Sequence, residues 1–126
     1  MEIIYLDTHV LVRLYLGDAD KLSPGAREAL ETNEILASPA AVLELEFLHE
    51  IGRLQPNASK VTLTLAETVG LRICELSFRT VVEYALKEKW GRDPFDRLIV
   101  AHARAQDAPL VTKDERIRRH YRRTVW

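Results

Sequence analysis

Residues 3–16 read IIYLDTHVLVRLYL, and the way this stretch divides decides what fold to expect. Ile3-Ile4-Tyr5-Leu6 is a short apolar run of strand formers, and Asp7 ends it. From about Thr8 to Leu16 the apolar residues recur at helical spacing instead. The chain therefore passes from strand to helix with only an aspartate between them.

The same alternation continues along the chain. Ser23-Pro24 starts a helix, with serine as cap and proline at the first helical position. Glu34 to Ala37 reads as a second strand, and Ser38-Pro39 opens a helix that runs to about Ile51 and stops at Gly52. Asn57 caps a helix over 58–69, closed by Gly70. Leu71 to Cys74 is a third strand, Ser77 caps a helix reaching towards Trp90, and Asp93-Pro94 opens the next. Pro109 to Thr112 is a fourth strand, and a short helical turn and a possible edge strand near Thr124-Val125 finish the chain. Alternating strands and helices imply right-handed crossovers and a three-layer α/β/α sandwich around a mainly parallel sheet. In such a sheet the strand-to-helix turns share one edge, where ligands bind.

At 126 residues the chain suits one domain, expected over 1–126, and 47% hydrophobic with 29% charged residues is the balance of an ordinary soluble protein. No apolar run approaches a membrane span, and Glu2 stands where a signal peptide needs basic residues. The one cysteine, Cys74, excludes an internal disulfide, suits a reducing compartment, and reads as a core residue. A net charge of −1 argues against a polycation built for tight nonspecific nucleic-acid binding. The tail is nevertheless basic, with Lys113, Arg116, Arg118, Arg119, Arg122 and Arg123 against Asp114 and Glu115, which is either a solvated face or one that meets phosphate or a partner.

The acids carry the chemistry. Asp7 closes the first strand, and Asp114 follows the fourth in VTKD. On a helical wheel of about 100° per residue, Ala40, Ala41, Leu43, Phe47, Leu48 and Ile51 share one side of their helix, and Glu44 falls in its middle. A glutamate there is costly unless paired, either with a buried arginine such as Arg13 or with something outside the chain. In RDPFDRLIVA, residues 92–101, Asp93 fits a helix cap. Asp96 at the third helical position favours the macrodipole, but its neighbours Ile99, Val100 and Ala103 turn it towards the core. Asp7, Glu44, Asp96 and Asp114 would thus converge on one sheet edge. Their repulsion would be relieved by a hard divalent cation, Mg²⁺ or Mn²⁺. The four histidines lack zinc spacing, His102 reads as a hydrogen-bonded core residue, and no phosphate-binding glycine loop or nucleophile elbow is present.

These residues resemble a family. LDTHV at Asp7, SPAAVLELEFLHEIGRL around Glu44, RDPFDRLIVAHA around Asp96 and LVTKD at Asp114 stand in the order and spacing of PIN-domain proteins. They are most similar to the VapC-type toxin ribonucleases of toxin–antitoxin pairs. The resemblance implies that Asp7, Glu44, Asp96 and Asp114 bind the metal and serve catalysis, with Asp93 open between an additional ligand and a cap. Thr8 and Thr112 would orient ligands or water. His9 is given no role. It further implies a metal-dependent endoribonuclease of the cytoplasm that forms a homodimer and pairs with a VapB-like antitoxin supplied as a separate chain. Arg116, Arg118 and Arg119 are the candidate contacts to RNA. Two rivals are a PIN-like module that binds without cutting and a haloacid-dehalogenase-type phosphatase. The latter wants a second aspartate two residues after the first, where this chain has His9.

Overall fold

A computed structural model describes residues 2–126. Five strands, β1 (Ile3–Leu6), β2 (Glu34–Ala37), β3 (Arg72–Ile73), β4 (Leu110–Val111) and β5 (Thr124–Val125), form one sheet in the order β3-β2-β1-β4-β5. Every pairing is parallel. The helices are α1 (Thr8–Leu16), α2 (Pro24–Thr32), α3 (Pro39–Glu50), α4 (Ala58–Val69), α5 (Phe78–Ala85), α6 (Pro94–Ala105) and α7 (Glu115–His120), with a 3-10 turn over Ala19–Lys21. From β1 the chain steps outward through β2 to β3, then crosses back to β4 and β5. With right-handed crossovers, that reversal places α1 to α4 on one face and α5 to α7 on the other. The three-layer expectation holds, and among the described residues the sheet is wholly parallel.

The local reasons are those written in the sequence. Ser23 and Ser38 accept N–H bonds at 3.0 Å from Ala26 and Ala40, and Asn57 accepts from Lys60 at 2.9 Å. Gly17 and Gly70 take the left-handed conformation that ends α1 and α4. The central strands are buried on both faces, with Ile4, Tyr5, Leu6, Leu110 and Val111 shielded from water, so continuous apolar runs rather than alternation mark them.

Three elements differ from the reading. β3 is two exposed residues at the sheet edge, although Cys74 N–H still bonds the Ala37 carbonyl at 2.9 Å. Ser77 makes no side-chain cap bond, and α5 ends at Ala85, short of Trp90. There the N–H groups of Lys87 and Glu88 reach carbonyls three residues back, a tightening that terminates the helix. In α3 the buried side is Ala41 and Leu45, whereas Leu43, Phe47 and Ile51 are 62%, 47% and 49% exposed. The wheel was right about Ala40 and Ala41 and wrong about Leu43, Phe47 and Ile51, because apolar residues spread over more than one side of the helix do not announce its inner face.

Candidate metal centre

Register builds the site. Tyr5 pairs with Leu110 and Leu6 with Val111, so the next residues, Asp7 and Thr112, emerge side by side. They do so between β1 and β4, where the strand order reverses, which is where parallel sheets open a crevice. Thr112 Oγ1 donates to Asp7 Oδ2 at 2.7 Å, and Thr8 N–H donates to Asp7 Oδ1 at 2.8 Å. Asp7 is buried, and both its oxygens are fixed.

The other acids arrive on helices. Glu44, half-buried on α3, accepts from the Thr8 hydroxyl at 2.5 Å, so Thr8 joins the first and third pieces of the site. Asp96 lies in the first turn of α6, and Asp114 is the N-cap of α7, its Oδ1 accepting from Arg116 and Ile117 N–H at 2.8 and 3.1 Å. Asp7, Glu44, Asp96 and Asp114 all line one cavity of about 510 Å³, with Thr8, His9, Val12, Arg13, Leu48 and Arg53. A larger hollow beside β3, about 710 Å³, carries only one acid, Glu75, and no convergent set. Size does not select the site; chemistry does.

The electrostatics follow from crowding. Burial first, then the charges of Asp93, Asp7, Asp114 and Glu44, push Asp96 up to about 7. Burial raises Glu44, partly offset by the Thr8 hydrogen bond, with Asp7 and Asp93 raising it further. Burial also raises Asp7, against the lowering effects of His9, Thr112 and Thr8. Among the described residues no arginine forms an ion pair with any of the four acids. Arg13, the candidate partner for Glu44, instead pairs with Asp18 at 3.6 Å.

Asp93 is exposed and caps α6, its Oδ1 accepting from Phe95 and Asp96 N–H at 2.8 and 3.3 Å, and it is not among the residues lining the cavity. Arg116, Arg118 and Arg119 are exposed on α7 and likewise absent from its walls; the Arg116 guanidinium donates to the Trp90 carbonyl at 2.6 Å. His102 is the buried core histidine expected, 2.8 Å from Ser38 Oγ, and Cys74 is buried. Beyond the expected site residues, the polar side chains of His9, Arg13 and Arg53 line the cavity. His9 Nε2 accepts the Lys113 N–H at 3.0 Å, which ties the turn before Asp114 to α1. Arg13 stands one helical turn beyond His9, a spacing that the sequence does display. Arg53 follows Gly52, and only the turn geometry reveals where it goes.

These donors fit a hard cation. They are carboxylates whose charges resist one another, with hydroxyls between them. Among the described residues no three acid, histidine or cysteine side chains close on a common point as a finished cage. The carboxylates stand apart around an open space, as Mg²⁺ or Mn²⁺ sites that retain water allow.

The PIN domain family model matches residues 4–123. The chain belongs to the PIN domain family. Along their full lengths it is 32% identical to the ribonuclease VapC22 of Mycobacterium tuberculosis. The PIN fold also recurs in solved structures. VapBC2 from Rickettsia felis, bound to a DNA fragment of its promoter, superimposes with a TM-score of 0.67 at 23% identity, over 93% of this chain and 92% of that one. A toxin–antitoxin complex from Klebsiella pneumoniae gives 0.62 at 15% identity, over 98% and 96%.

Proposed function

We propose that this PIN-domain protein is a metal-dependent endoribonuclease acting as the toxin of a toxin–antitoxin pair, with residues 1–126 forming one nuclease unit. The observation that carries the reading is the shared cavity. Four carboxylates from four separate stretches line it, burial and mutual repulsion raise the proton affinity of Asp7, Glu44 and Asp96, and among the described residues no arginine forms an ion pair with any of the four. The full-length relative named as a ribonuclease supports RNA as the substrate.

Bound there, Mg²⁺ or Mn²⁺ would activate a water and offset charge on the scissile phosphate. Asp7 and Asp96 are the direct ligands in this reading, Asp7 held rigid by Thr8 and Thr112. Glu44 and Asp114 each commit one oxygen to the protein and keep the other for ligation or for the proton of the attacking water. Asp93 serves as cap and as a source of negative potential. The phosphodiester is reached at a sheet edge, which favours single-stranded or looped RNA over an A-form duplex. The antitoxin is a VapB-like separate chain, as in the solved complexes, and the exposed Leu43, Phe47 and Ile51 give a partner or a second copy an apolar face. The reading places the protein in the cytoplasm.

Purified protein is incubated with structured RNA with and without Mn²⁺. Cleavage is expected only with the metal, and Asp7→Asn should abolish it. Equal, EDTA-resistant activity of the wild type and Asp7→Asn would refute the reading. A module that binds RNA without cutting it would leave the RNA intact in every lane.

A further inference from the structure

We infer that Arg53, with Arg13 lining the same cavity, is the phosphate-holding side of the carboxylate site and sets how tightly RNA is bound. The inference rests on the nuclease reading and assigns that site its substrate contact. Both arginines line the same cavity as Asp7, Glu44, Asp96 and Asp114. The two signs of charge nevertheless do not pair. Among the described residues no ion pair links either arginine to any of the four acids; Arg13 is held at 3.6 Å by Asp18, and Arg53 forms none. Opposite charges that face one space without closing on each other leave room for a group that meets both. A phosphodiester does so, with one oxygen towards a cation held by the carboxylates and another towards a guanidinium, whose planar donors suit it.

The backbone explains why Arg53 is there. Gly52 takes φ +79, a left-handed turn that other residues rarely adopt. The N–H groups of Arg53 and Leu54 then both return to the Leu48 carbonyl, at 2.9 and 3.2 Å, and Leu54 is buried as an anchor. The chain folds back along the side of α3 that carries Glu44 and Leu48, which brings Arg53 to the cavity. The α7 arginines have no such placement, and Arg116 is already occupied by the Trp90 carbonyl.

The test measures binding apart from cleavage. A labelled single-stranded RNA is titrated, by anisotropy in Mn²⁺, against Asp7→Asn protein with and without Arg53→Ala. Arg53→Ala should weaken binding about tenfold, the loss of one charge-assisted contact. The slope of log affinity against log salt should become shallower by about 0.7, as for one phosphate contact on a single strand. Arg53→Lys should recover part of the affinity, whereas Arg79→Ala, which removes a charge from exposed α5, should leave it unchanged. In the cleaving protein Arg53→Ala should raise KM with kcat little altered, and its melting temperature should match the wild type. Unchanged affinity and KM in Arg53→Ala, or an equal loss in Arg79→Ala, would overturn the inference while leaving the nuclease reading intact. If the wild type cuts no RNA yet Arg53→Ala still weakens binding, the nuclease reading alone fails.

Discussion

Asp96 is the residue on which capping and chemistry compete. Its place in the first turn of α6 suits a negative charge, but the cavity it faces already holds three more. Burial, and then crowding by the other acids, wins: the folded state holds its proton up to a pH of about 7 while an unfolded aspartate ionises near 3.8. The sign follows directly. Between those values the folded protein binds more protons than the unfolded one, so this group's contribution to stability declines as pH rises from about 4 to about 7. Melting temperatures of the metal-free protein across that range should therefore fall less for Asp96→Asn than for the wild type. His9, whose pKa burial lowers, acts in the opposite direction in both proteins and drops out of the difference. Parallel curves would show that Asp96 is not under this strain. The apolar neighbours Ile99, Val100 and Ala103 made the inward direction of Asp96 legible from sequence. That Asp7 and Asp114 share its edge of the sheet was legible only from the strand–helix alternation of the whole chain, and that β1 and β4 are neighbours required the sheet order.

Helix starts were legible because capping is written in adjacent residues: Ser23-Pro24, Ser38-Pro39 and Asp93-Pro94 all proved to be caps. Helix faces were less so. Leu43, Phe47 and Ile51 look as apolar as Leu45, and only the packing of α3 against its neighbouring helices separates them. Urea unfolding should show it: Leu45→Ala is expected to cost about 2–5 kcal/mol, and Leu43→Ala within about 0.5 kcal/mol. Comparable losses would place Leu43 back in the core. Asp93 can be judged at the same scale. Asparagine caps about as well as aspartate, so Asp93→Asn should keep both stability and cleavage within a few-fold. Asp93→Ala should lose about 1 kcal/mol of stability. If Asp93→Asn abolished cleavage as completely as Asp96→Asn, Asp93 would be a ligand and not a cap.

At the scale of the molecule, folding itself gathers the charge. Residues 7, 44, 96 and 114 are far apart in an unfolded chain, and the reversal between β1 and β4 brings them to one crevice. A cation that binds the assembled carboxylates has little to bind once they disperse, so it must stabilise the fold by mass action. At one hundred times its dissociation constant the gain is about 2.7 kcal/mol. For a domain of this size that corresponds to a rise of roughly 8–13 °C in melting temperature. Adding Mn²⁺ or Mg²⁺ to EDTA-treated protein should produce that rise, and sodium chloride at the same ionic strength should not, because screening acts weakly on a half-buried cluster. Asp96→Asn should begin from a higher metal-free melting temperature and gain less from the metal, since neutralising one acid relieves part of the repulsion and removes one donor. A wild-type melting temperature indifferent to divalent ions, or a rise identical in Asp96→Asn, would mean that the crevice tolerates its four acids without a cation.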